Sequence, residues 1–150
     1  MKILIVYASY SGSTLMASQT VLETLTKSGH NVVLKTAVET KVEDLIASDL
    51  IVLGSPSWDY DGKEGQPHED FIKFIELIKS VSLENKLFAV FGLGDSSYMN
   101  FCGAVSALEE FVKNVKGKLV AESLKIDGYF LDQQKSTQSL TDWATKLAKA

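Results

Sequence analysis

The chain is poor in the residues that build metal centres and covalent cross-links. It has one cysteine, Cys102, and two histidines, His30 and His68. A lone cysteine excludes an internal disulfide and any site made of several thiolates. The histidines stand far apart with no cysteine near them, which argues against zinc. Long apolar runs are missing too. Met1-Lys2 leads into Ile3-Leu4-Ile5-Val6-Tyr7, too short for a signal peptide or a membrane span. The net charge of −4 leaves little of the basic surface that nucleic acid calls for. One domain over residues 1–150, cytoplasmic and away from membranes, is therefore expected. At 150 residues and 45% hydrophobic, it has enough apolar material for a core.

A further absence is local. No lysine or arginine lies between Lys2 and Lys27, yet this stretch holds Ser9-Tyr10-Ser11-Gly12-Ser13-Thr14. A hydroxyl-rich turn between an apolar strand and a helix is where N–H groups converge on a phosphate. Any anion bound here is held by neutral dipoles. The Walker pattern needs a lysine before its Ser/Thr, and Ser13 stands there instead. The dinucleotide fingerprint needs three glycines, and only Gly12 is present. Taken alone, the turn could equally be an ordinary helix cap.

Apolar runs predict strands near 2–7, 31–36, 49–54, 86–92 and 118–126, and helical patterns fall near 13–28, 42–47, 68–79, 103–116 and 136–149. Leu50 to Leu53 and Leu87 to Phe91 are continuously apolar, as expected of strands covered on both faces. In the last helix Leu140, Trp143, Ala144 and Leu147 form one stripe. Gly29 is placed to close the first helix. This alternation implies a doubly wound α/β fold with right-handed crossovers. Ligands then bind beyond the carboxyl ends of the strands.

Three loops follow strands there: 9–14, 55–67 and 93–102. The second contains Ser55-Pro56-Ser57-Trp58-Asp59-Tyr60-Asp61-Gly62, and the third contains Leu93-Gly94-Asp95-Ser96-Ser97-Tyr98-Met99-Asn100-Phe101-Cys102. Trp58 and Tyr98 are candidates to stack on the two faces of a flat heteroaromatic ring, worth roughly 1–3 kcal/mol each. The alternative for either ring is loop or core packing. Together the loops suit a ligand with one phosphate, a polar spacer and a planar ring.

The segments SYSGST, GSPSWDYDG and FGLGDSSYMNFCGAV, ending in LKIDG, resemble the short-chain branch of the flavodoxin family. The resemblance runs along essentially the whole chain, and the third loop is its most specific part. It implies a flavodoxin-like doubly wound three-layer sandwich with a five-stranded parallel sheet of order 2-1-3-4-5. It also implies FMN as cofactor, with Ser9, Tyr10, Ser11, Gly12, Ser13 and Thr14 on the phosphate. Pro56 and Ser57 would then lie along the ribityl chain, with Trp58 on the inner ring face and Tyr98 on the outer. Leu93, Gly94 and Asp95 would meet the pyrimidine edge, Asp95 accepting from the ring N3–H. Phe101 and Cys102 would close the pocket. An uninterrupted stretch from Gly117 to Asp127 would mark the absence of the long-chain insertion. Asp59 departs from the pattern, since many short-chain members carry glycine after the inner aromatic. Pro56 likewise stands where relatives often have a hydroxyl residue.

No Ser-His-Asp or Cys-His set accompanies these loops, so the chemistry falls to the flavin. From Trp58 to Asp70 five carboxylates face one lysine, a local net of −4. One unit charge about 10 Å from a reduced ring, at an effective dielectric of ~20, contributes roughly 1.7 kcal/mol before screening. Several such acids favour a low-potential one-electron carrier. The family resemblance implies a monomer that meets flavodoxin- or ferredoxin-type reductases and low-potential acceptor enzymes by transient electrostatic contact. His68, within the acidic stretch, is expected at the surface. The competing reading is an FMN-dependent quinone or NAD(P)H reductase on the same fold. The sequence argues against a phospho-receiver, because Ala8-Ser9 and Gly54-Ser55 occupy its acidic positions.

Overall fold

The computed structural model describes residues 1–10, 12–60, 63–95 and 102–150, with no side chains at 58–60, 63 and 64. The chain opens with β1 (Lys2–Tyr7), α1 (Ser13–Lys27), β2 (Asn31–Thr36) and α2 (Val42–Ile46). It continues through β3 (Leu50–Tyr60), β4 (Lys63–Pro67), α3 (Glu69–Ile78) and β5 (Leu87–Gly94). It ends with α4 (Gly103–Asn114), β6 (Lys118–Leu119), β7 (Leu124–Asp127) and α5 (Gln133–Leu147). The parallel order is β2-β1-β3-β5-β6, with β7 also on β5. Counting β6 and β7 as one interrupted strand, this is the expected order.

The period of two along each strand sorts the apolar side chains between the two faces. Ile3, Ile5, Leu50 and Val52 point to one side and pack with Val21 and Leu25 of α1 and Leu140 and Leu147 of α5. Leu4, Val6, Ile51 and Leu53 point to the other, against Phe71 and Phe74 of α3 and Leu108 and Phe111 of α4. Both faces are covered, which is why these strands read as unbroken apolar runs. Gly29 follows α1 with φ +91° and its N–H donates to the Thr26 carbonyl, as a left-handed helix end requires.

Two strands differ from the sequence reading. The first is the third strand, which does not stop at Gly54. It runs on to Tyr60 and pairs antiparallel with β4, Ser57 opposite Pro67 and Trp58 opposite Gln66. The expected 55–67 loop is a hairpin arm. The second is the fifth strand, expected as one run over 118–126, which comes in two pieces. Phe88 lies opposite Leu119 and Phe91 opposite Leu124. Two residues of β5 (89–90) therefore face four (120–123) of the neighbouring chain. The surplus forms an excursion between the two pairings, and side chains tie it down. The Trp143 indole donates to the Glu122 carbonyl at 2.9 Å and Ser123 Oγ donates to Glu109 at 2.8 Å.

Candidate functional site

The parallel register brings the three strand ends together at one edge. Tyr7 lies beside Gly54, Ser55 beside Gly92, and Pro56 beside Leu93. The Ala8 N–H donates to the Gly54 carbonyl. The segments before α1, along the hairpin and after β5 therefore start from adjacent points, as the strand–loop alternation predicts.

The start of α1 has no side-chain cap of its own. Gly12 is the N-cap at φ 90°, ψ −8°, no side chain caps the helix, and its first turn carries no acidic residue. Helix geometry leaves the first N–H groups without intrahelical acceptors, at the positive end of the dipole. Ser9 Oγ accepts from the Gly12 N–H at 2.9 Å, which folds the loop over the helix start. Thr14 has 0% exposure, and its Oγ1 is the one buried side-chain polar atom without a hydrogen-bond partner among the described residues. A buried hydroxyl left unmatched costs about 1–3 kcal/mol, so its place at an uncapped helix start fits a phosphate oxygen. The Thr14 carbonyl is satisfied, accepting from Ser18 Oγ at 2.7 Å. Tyr10 is 42% exposed, and Ser13 is the first residue of the helix.

The hairpin arm is fixed from below. Ser57 Oγ accepts from the Ala104 N–H at 3.1 Å, linking β3 to α4. Gly103 lies so close to the hairpin that an added Cβ would strike the Gly65 carbonyl oxygen and stand 3.0 Å from Gly65 Cα. Only glycine permits that approach. Gly94 is similarly confined, with Cys102 Sγ 2.9 Å from where its Cβ would be. Leu93 is buried in the cluster beneath α1 and α5, and Asp95 is exposed at the end of β5. Cys102 adopts a left-handed conformation (φ 51°, ψ 39°) as the N-cap of α4. Its thiol lies 3.7 Å from the Gly92 carbonyl and 3.8 Å from that of Ile126. Burial pushes the thiol pKa up to about 11, so it is a poor nucleophile at neutral pH.

His68 is not at the surface. It is 5% exposed, and its ring stacks on Tyr10 with centroids 3.8 Å apart and 24° between planes. Its N–H donates to Ser55 Oγ at 3.0 Å, and its Nδ1 accepts from the Asp70 N–H at 3.0 Å, capping α3. The acidic neighbours suggested solvent, but the contacts that bury this ring come from distant segments. Burial lowers its pKa from the ordinary 6.5, with Asp70, Glu69 and the Ser9 backbone working the other way. Ser11, Tyr98 and Phe101, and the side chains of Trp58 and Asp59, lie outside the described residues. The hairpin was also missed in the sequence, although Asp61-Gly62 between Tyr60 and Lys63 is a strong turn signal. Among the described residues no cluster of His, Cys, Asp or Glu could hold a metal. Nor is any described helix long and apolar enough to cross a membrane.

An uncapped helix start at the switch point of a parallel sheet is the arrangement that doubly wound nucleotide-binding proteins share. The flavodoxin family model matches residues 5–139. The chain is 36% identical over 149 residues to a flavodoxin of Nitratidesulfovibrio vulgaris (strain Miyazaki F), covering 99% of this chain and 97% of that one. A flavodoxin of Maridesulfovibrio salexigens is 38% identical over 128 residues, 85% of this chain and 86% of that one. Oxidised flavodoxin 2 from Bacillus cereus superposes with a TM-score of 0.84 at 35% identity, covering 99% of both chains. This chain belongs to the flavodoxin family.

Proposed function

We infer that the chain is an FMN-binding electron carrier, working in the cytoplasm between redox partner proteins rather than turning over a substrate of its own. The observation that carries this reading is the buried, unmatched Thr14 hydroxyl at an uncapped helix start, in a chain of this family. FMN, when bound, supplies the one-electron chemistry. Ser9, Tyr10, Ser11, Gly12, Ser13 and Thr14 hold its phosphate through N–H groups and hydroxyls. Pro56 and Ser57 follow the ribityl chain. Trp58 and Tyr98 cover the ring faces and exclude water from them, and Asp59 adjoins the inner one. Leu93 and Gly94 offer main-chain groups to the pyrimidine edge, because the Leu93 side chain is engaged in the core. Asp95 accepts from N3–H, while Phe101 and Cys102 close the pocket.

The acids between Trp58 and Asp70 serve two ends. They disfavour added negative charge on the ring, which lowers the potential. They also steer basic partner surfaces into brief, salt-sensitive encounters. An anaerobic redox titration followed in the visible tests this reading. A yellow protein reduced in two separate one-electron steps, the second at low potential, supports the carrier. A colourless protein that takes up no FMN refutes it, as does sustained NAD(P)H oxidation by the protein alone.

A further inference from the structure

The stack between Tyr10 and His68 joins the loop ahead of α1 to the start of α3, two segments that the phosphate reading does not itself connect. The constraints on His68 come from β3 and from the first turn of α3. Ser55, fully buried at the end of the parallel part of β3, accepts its main-chain N–H at 3.0 Å. The Asp70 N–H occupies Nδ1, which fixes the ring plane. The Asp70 carboxylate stands 3.7 Å from the same nitrogen. A ring pinned in this way presents one set face to Tyr10, at 3.8 Å. The Tyr10 hydroxyl also accepts from the Glu69 N–H at 3.4 Å, a second and longer tie between the same segments.

Such a clamp matters most in a loop without a cation. A lysine on its four-carbon stem can follow an anion and tolerate misplacement. Backbone N–H groups and hydroxyls cannot, because their hydrogen bonds weaken steeply with angle. We propose that His68 is a positioning residue for the phosphate loop, its ring acting through Tyr10 to hold the loop in the shape that receives the FMN phosphate. The proposal rests on the FMN reading above. It assigns no contact between His68 and the cofactor.

Two features of the ring can be separated by substitution. Asn at 68 keeps an acceptor for the Asp70 N–H but loses the stack, whereas Phe keeps the stack and loses the acceptor. The full chain, loaded with FMN or with riboflavin, is diluted and flavin release followed by fluorescence, giving both dissociation constants. Their ratio isolates the phosphate's contribution, which a general loss of stability would not change. His68→Asn is expected to lower that ratio about three- to tenfold, the range one aromatic pair carries. His68→Phe should hold it within about twofold. Tyr10→Leu, at a half-exposed position that leaves the core intact, should match His68→Asn, and the double variant should lose no more than either alone. Equal losses in His68→Asn and His68→Phe, or no loss on Tyr10→Leu, would overturn the proposal. A wild-type protein that binds riboflavin as tightly as FMN would overturn the phosphate reading beneath it.

Discussion

Thr14 lets stability and ligand affinity be moved in opposite directions by one substitution. Thr14→Val keeps the branched shape at Cβ and replaces the hydroxyl by a methyl. The Thr14 carbonyl, which accepts from Ser18, is untouched. The buried Oγ1 has no protein partner among the described residues, so removing it relieves a desolvation cost of about 1–3 kcal/mol in the flavin-free protein. The urea midpoint should rise with an unchanged m-value. With FMN bound the same hydroxyl would donate to a charged oxygen, an interaction worth about 1.5–3 kcal/mol. Its loss should weaken FMN binding about 10- to 150-fold while riboflavin binding stays within about twofold. Flavin-fluorescence titration of both ligands, beside urea curves of the flavin-free protein, measures every quantity. A variant less stable than wild type, or one that binds FMN as tightly, would refute the assignment of Thr14 to the phosphate.

Gly103→Ala should press the α4 start away from the hairpin, because its Cβ would meet the Gly65 carbonyl. Backbone cannot yield as a side-chain tip does, so a loss of about 1–3 kcal/mol in urea unfolding is expected, with weaker flavin binding alongside. The buried Cys102 thiol, raised to about 11, should react with a disulfide reagent at pH 8 only as fast as the protein opens. Rapid stoichiometric labelling of the folded chain would contradict its burial. His68 has a lowered pKa in the fold, so the unfolded chain binds the extra proton first as pH falls. Its contribution to stability is complete above the ordinary value of 6.5 and is lost as pH drops through the folded value. His68→Gln should flatten the stability curve over that interval, and parallel curves for the two proteins would exclude the effect.

The sequence made legible whatever the chain determines locally. The runs at Leu50 to Leu53 and Leu87 to Phe91 required coverage on both faces, and the sheet order follows from it. The hydroxyl-rich turn ahead of α1 was equally readable, since hydroxyls, one glycine and a missing lysine are all local properties. The burial of His68 was not, because it depends on Tyr10 and Ser55 arriving from elsewhere in the fold. The α5 start also came three residues earlier than the apolar stripe suggested, at Gln133. Asp132 caps it by accepting from the Lys135 N–H at 3.1 Å, a polar signal ahead of the apolar one. The bulge at 120–123 was hidden for the opposite reason. Val120 and Ala121 suit a strand, and the side chains that hold the excursion, Trp143 and Glu109, lie on helices.

That interruption also governs how the sheet ends. A strand edge with free N–H and C=O groups is a template on which a second chain can extend the sheet. Here the edge beyond β5 is offered only as the two residues of β6 and the four of β7, out of line by the bulge between them. An incoming strand could pair with one piece or the other but could not run along both. The same residues that complete the last strand thus deny this side of the sheet a continuous border for self-assembly.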